Sequence, residues 1–333
     1  MKRVIFFLML TAILTGCSPR KKPAVAFYYW KTNFELSQTE KQLLNHNHVS
    51  ALYIRYFDIG LHPKSATPYP VSPVHFAEKP SVAVVPVVYI KNEVFLQKDP
   101  DVKDLVNKTL DYIRQINVKN AIQINEIQID CDWTISSRDR YLDFMDVLKA
   151  QCGTRLSATI RLHQVKYYEK TKIPNVDKGV LMYYNMGKIA PDLLHSIYDS
   201  NIANRYLKSL KNYPLPLDVA LPIYSWAIHI RDHKVIGLKS KDQMPDFENP
   251  SDFVIFDKIF FRTLRSHYDN GHFYRKGDVL KLEKINATDL KEMAVALGES
   301  LRNPPETILF YDLDAFNTKT YEKGFFETIA GDF

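Results

Sequence analysis

Short apolar runs rich in β-branched and aromatic residues recur along this chain, separated by stretches of helical period. The runs are 24–30 (AVAFYYW), 50–57 (SALYIRYF), 81–90 (SVAVVPVVYI), 125–133 (NEIQIDCDW), 155–163 (RLSATIRLH), 179–187 (GVLMYYNMG), 217–226 (LDVALPIYSW) and 307–316 (TILFYDLDAF). Each reads as a strand, and the near-continuous hydrophobicity of most is that of parallel strands covered on both faces. Between them, Ser37-Gln38-Thr39-Glu40 is a capping box opening a helix toward His46. Residues 101–116 put Val102, Leu105, Val106, Leu110 and Ile113 on one stripe. Ser136 with Asp139 opens a helix carrying Tyr141, Phe144, Met145 and Leu148, and 193–210 and 288–301 are further helices. Eight strands interleaved with helices predict an α/β chain folded as a (β/α)8 TIM barrel over 24–333. A two-domain α/β layout is the structural alternative.

Two stretches depart from the ideal alternation. Between the second and third strands, GLHPKSATPYPVSPVHFAEKP carries five prolines and no helical period, which predicts a long loop on the mouth side. Between the seventh and eighth lie about 80 residues, too many for a plain connection. IHIRDHKVIGL and GHFYRKGDVLKLE look extended there, so a small α+β insertion is predicted at about 228–285.

The N-terminus changes the picture from a plain barrel to an exported one. Lys2 and Arg3 precede an apolar run from Val4 to Leu14, the length of a signal h-region and too short to span a membrane. Leu14-Thr15-Gly16-Cys17 matches the lipobox of bacterial lipoproteins, a resemblance that implies cleavage after residue 16 and lipidation of Cys17; an ordinary secretory signal is the alternative. Residues 17–23 would then be a lipidated, basic tether, and Ser18 after the cysteine favours the outer membrane, on its periplasmic side. With 46% hydrophobic residues the chain is globular, and its net charge of +6 is mild and unclustered, which disfavours nucleic acid as a partner. Cys131 and Cys152 fall near opposite ends of the predicted barrel, beyond disulfide reach, and are expected to be two buried free thiols.

In a TIM barrel the site forms at the C-terminal ends of the strands. Those ends gather aromatics with acids, amides and two arginines: Tyr28 and Trp30; Arg55; Asp130, Asp132 and Trp133; Arg161 and His163; Tyr184 and Asn185; Tyr224 and Trp226; Tyr311, Asp312 and Asp314. Aromatic faces suit the C–H faces of sugar rings and acids and amides suit hydroxyls, so the pattern points to a carbohydrate cleft. Alternation sends about half of any strand's residues outward, so part of this set belongs to packing. In IQIDCDWT, Gln128, Asp130, Asp132 and Thr134 would share one strand face, with two carboxylates close enough to raise one pKa by repulsion. A structural reading ties Asp130 to Arg161 or to a tyrosine hydroxyl instead. No nucleotide-binding glycine motif occurs, no metal is expected, and no cofactor is implied.

IQIDCDWT resembles the signature strand of family 18 glycoside hydrolases, the chitinase-like barrels, whose pattern is Asp-x-x-Asp-x-Asp-x-Glu. Asp130 and Asp132 match its second and third acids, and Trp133 the aromatic. Met182, Tyr184 and Asn185 resemble the family's Met-x-Tyr-Asp/Asn, and Leu221, Pro222 and Tyr224 its Leu-Pro-x-Tyr. The chain is also similar to a family of bacterial lipoproteins defined only as a domain of unknown function. Thr134 stands where the pattern has its proton-donating Glu, and Ile127 where it has its first acid. The resemblance implies a substrate-orienting role for Asp132, but a threonine hydroxyl is no acid near neutral pH, so a donor would come from Asp130, Asp312, Asp314 or His163. Two readings follow. One is an envelope-anchored, divergent glycosidase with Asp130, Asp132 and Asp312 as catalytic groups. The other is a non-catalytic glycan-binding or envelope-assembly lipoprotein that kept the cleft and lost the acid.

Overall fold

The computed structural model describes residues 22–98 and 100–333, so Cys17, the leader and most of the tether lie outside the described residues. Eight parallel strands close into a barrel: β1 (Ala24–Tyr29), β2 (Ala51–Leu61), β3 (Ala83–Ile90), β4 (Glu126–Asp130), β5 (Arg155–Arg161), β6 (Lys178–Met182), β7 (Leu217–Pro222) and β8 (Thr307–Tyr311). Closure comes from β1, which pairs with β8 on one side and β2 on the other. Each predicted run overlaps one barrel strand. For β4 to β8 the runs overshoot the strand's end: the residues beyond it turn into the mouth-side connections, and beyond β7 Ser225 and Trp226 already belong to the insertion sheet.

The longer helices are α1 (Gln38–His46), α2 (Val102–Asn120), α3 (Arg138–Gln151), α4 (Ser200–Leu210), α5 (Ala287–Ser300) and α6 (Phe325–Gly331). The Ser37/Glu40 capping box is formed as its spacing predicts. Two helix starts differ from expectation. The residue at the N-terminus of α3 is Ser137, not Ser136, and its hydroxyl donates to Asn92 Oδ1. The helix expected from 193 begins at Ser200, capped by Asp199, because 193–198 is drawn into a loop by tertiary contacts.

Alternation along the strands sends apolar residues outward to the helices and polar ones into the barrel. Ile127, Ile129, Leu156 and Ile160 belong to the hydrophobic core. Tyr28 donates to Gln128 Oε1 at 2.7 Å, Tyr53 to Glu126 Oε1 at 3.1 Å, and Ser157 to Glu126 Oε1 at 2.7 Å. At the end holding the strand N-termini, Lys178 lies 2.7 Å from Asp218 and 3.0 Å from Glu126. The barrel interior is thus a stack of satisfied polar layers, as buried polar groups require.

Two connections differ from the sequence reading. The proline-rich loop after β2 contains Pro68–Val71, an antiparallel edge strand on the far end of β2, and His75–Phe76, which pairs with Asn33–Phe34. Proline is tolerated there because an edge strand leaves one row of N–H groups unpaired. The insertion is a β unit that begins at Ser225: an antiparallel sheet ordered Lys234–Lys239, Ser225–Arg231, Val279–Lys284, Phe260–Thr263 and Phe253–Asp257, with a hairpin of His267–Asp269 and His272–Tyr274. Among the described residues it holds one 3-10 turn, Lys241–Gln243, and no α-helix, so the expected α+β character is corrected. Both remaining cysteines are free; Cys131 is buried, whereas Cys152 is only half-buried.

Candidate glycan-binding cleft

A cavity of about 420 Å³ opens at the C-terminal end of the barrel. Trp30, Asp130, Arg161, Tyr184, Asn185, Tyr224, Trp226, Tyr311 and Asp312 line it, together with Met182, Ser225, Ser240 and Lys241. Six barrel strands or their trailing residues, and the insertion, therefore converge on one space, which is why the set is dispersed in sequence.

The aromatic wall is built around Tyr311. Its ring meets Trp30 at 5.5 Å, Tyr184 at 5.6 Å and Tyr224 at 5.8 Å, and Tyr224 meets Trp226 at 5.4 Å. Tyr184 and Tyr224 are buried, whereas Trp30, Trp226 and Tyr311 keep part of their surface exposed. These three offer faces to a ligand; the buried pair holds them in place. The Tyr224 hydroxyl donates to Asn185 Oδ1 at 2.6 Å, and Asn185 takes a left-handed φ of 55° that Asn tolerates. The Trp226 indole N–H donates to Glu283 Oε2 at 2.8 Å, anchoring the ring to the insertion. Trp226 belongs to the insertion's first strand, not to the end of β7.

The acids of IQIDCDWT separate. The strand ends at Asp130, so alternation no longer aligns Asp132 and Thr134 with it. Asp130 is buried and accepts the Thr159 hydroxyl at 2.6 Å. Burial raises its pKa from 3.8 to about 6; Thr159 opposes this, and Asp132 adds a smaller push upward. Repulsion between the two acids is therefore not the leading cause. The Asp132 side chain is 44% exposed and is held by the Arg161 guanidinium, so the arginine's acid is Asp132 and not Asp130. Thr134 is exposed, and its N–H donates to Ser137 Oγ at 2.9 Å.

Asp312 is buried, 2.7 Å from Lys241 Nζ and accepting from Asn317 Nδ2 at 2.7 Å. Burial raises its pKa while Lys241 opposes. Asp314 caps the short helix Ala315–Thr318 and pairs with Lys31 at 2.9 Å; burial raises its pKa, but Lys31 and the Phe316 N–H outweigh this and hold it low, the wrong direction for an acid.

Besides Asp132 and Asp314, four of the sequence-predicted residues lie outside the cavity lining. Tyr28 lies inside the barrel on Gln128. Trp133 is buried against α3, stacked on Tyr141 at 5.4 Å. Arg55 backs Trp30 from 5.7 Å and pairs with Asp58. His163 is exposed on the short helix Leu162–Lys166, its pKa lowered by burial and by Arg161. Two contributors escaped the sequence reading. Thr159 was in principle legible, since Ala158 pairs with Ile129 and the next positions are Thr159 and Asp130. Lys241 was not, because 71 residues separate it from Asp312.

Solved structures share this architecture. A chitinase from Bacteroides thetaiotaomicron matches with a TM-score of 0.55 at 10% identity, over 94% of this chain and 96% of that one. The spore cortex-lytic enzyme SleL of Bacillus megaterium matches at 0.53 and 10%, over 94% and 75%. A GH18 chitinase from Cycas revoluta, solved in complex with (GlcNAc)4, matches at 0.51 and 12%, over 93% and 99%. The chain therefore has the (β/α)8 barrel fold of GH18 chitinases and their like. Residues 1–18 match the prokaryotic membrane lipoprotein lipid attachment site, which marks a membrane-anchored protein of the bacterial envelope. No curated protein matches the sequence.

Proposed function

We propose that the protein is a lipid-anchored envelope lipoprotein, attached through Cys17 at the outer membrane on its periplasmic side, that binds a glycan in the barrel cleft without cleaving it. The observation that carries this is the cleft itself: three half-exposed aromatic rings around a polar floor, in a barrel shaped like those of chitinases. Against turnover stand Thr134, exposed and bonded to Ser137 where the resemblance asks for a proton donor, and the two cations that hold Asp132 and Asp312. A second reading, divergent glycosidase, is favoured by one observation: Asp130 lines the cavity with a pKa of about 6, suited to an acid near neutral pH.

Titrating an oligosaccharide panel calorimetrically, with product analysis on the same samples, separates the two. Binding without products is the expected result, and Trp226→Ala should weaken it about tenfold, or ~1.4 kcal/mol. Hydrolysis that vanishes in Asp130→Asn would select the glycosidase reading. Hydrolysis untouched by Asp130→Asn, Asp132→Asn and Asp312→Asn would remove this cleft as the site.

A further inference from the structure

We infer that the end of the barrel holding the strand N-termini faces the bilayer and that the cleft opens away from it. Its glycan is then one presented from beyond the anchoring leaflet, not one carried on a lipid within that leaflet. The inference rests on the lipid-anchor reading of Cys17.

Lys22 lies against α6, its Nζ 3.2 Å from Glu327 Oε1, and the Ala24 N–H donates to Glu306 O at 2.9 Å. Ala24 is in register with Thr307, the first residue of β8, so the chain enters the barrel at the end opposite the cleft. Lys22 is five residue steps from Cys17, at most about 18 Å when fully extended. The six residues of β1 rise about 20 Å before Trp30, and the eleven of β2 about 36 Å to Leu61. To lay the mouth on the bilayer, the tether would have to cross the base of the barrel and then climb its whole height. Its length allows neither together.

Charge at that end agrees. Arg20, Lys21 and Lys22 adjoin the anchor in sequence. Lys119, Lys211 and Arg302 are exposed at the C-terminal ends of α2, α4 and α5, and Val118, 77% exposed, sits beside Lys119. Glu306 and Glu327 lie there too, each engaged by a cation, Arg155 and Lys22 respectively, and Glu299 and Asp332 share a surface recess with Lys211 and Arg302. Basic groups near an anionic leaflet are drawn to its headgroups.

The test uses the full lipidated chain in liposomes containing phosphatidylglycerol and a headgroup energy acceptor. A donor fluorophore is attached after Arg302→Cys in one sample and after Ile135→Cys, on the mouth side, in another, both in a Cys152→Ser background. Several-fold stronger transfer from position 302 than from position 135 is expected. Equal or reversed transfer in protein that floats with the liposomes would overturn the orientation and leave the anchor intact. Protein that fails to float, as the Cys17→Ala chain should, would overturn the anchor reading and the orientation with it.

Discussion

The carboxyl of Asp130 ionises only near pH 6, because burial withholds the water that would solvate its charge and Thr159 returns only part of that solvation. The sign of the consequence follows from linkage. The folded pKa lies above the unfolded one, so below about pH 4 the group costs nothing. As pH rises from about 3.8 toward 6, the unfolded chain gives up its proton first and stability falls. Asp130→Asn keeps an acceptor for Thr159 and removes the buried charge. At pH 7.5 it should raise stability by up to about 3 kcal/mol, and near pH 4 by almost nothing, as denaturant titrations at the two pH values would measure. A gain equal at both pH values would mean that burial of the charge is not what shifts this group.

At the scale of elements, the insertion governs the cleft through one carboxylate. Glu283 is fully buried; it accepts from the Ser196 N–H and hydroxyl and from the Trp226 indole, and lies 2.7 Å from the equally buried Lys281. It ties together the loop after β6, the insertion sheet and one aromatic wall of the cleft. Glu283→Ala leaves the buried Lys281 with only the half-exposed Asp192, 3.7 Å away, as countercharge and should cost about 3 kcal/mol. Hydrogen exchange should quicken in 187–198 and in the insertion before it does in β1 to β4. The double change Lys281→Met with Glu283→Leu should recover most of the stability while leaving Trp226 less ordered, so glycan affinity should stay low. The helix expected from residue 193 failed for the same reason: Ser196 bonds a residue 87 positions away, a contact that no local period reveals.

For the whole molecule, the polar barrel interior fixes which residues face inward. Lys178 is flanked by Asp218 and Glu126 and reaches the Tyr53 hydroxyl across the barrel at 3.3 Å. Burial pulls its ammonium pKa down, but the carboxylates of Asp218 and Glu126 outweigh this and leave it raised. Lys178→Met strands two buried acids and should cost about 3–5 kcal/mol in guanidinium unfolding. Adding Glu126→Gln and Asp218→Asn should restore much of that. A small loss for the single change would mean that water reaches the base of the barrel.

Much of this protein was fixed by local chemistry. Alternating and continuous apolar runs placed all eight barrel strands, the Ser37/Glu40 box placed α1, and the lipobox marked residues 1–18 as a lipoprotein attachment site, because period, cap and motif act over a few residues. Asp130, Trp30, Tyr311 and Asp312 were legible as mouth residues because a barrel presents its strand ends together. The outward turn of Trp133, the pairing of Asp132 with Arg161, the capture of Asp312 by Lys241 and the all-β insertion were decided by tertiary structure. The two ion pairs span 29 and 71 residues, and for Trp133 a one-residue change in where the strand ends reverses the side to which the next side chain points.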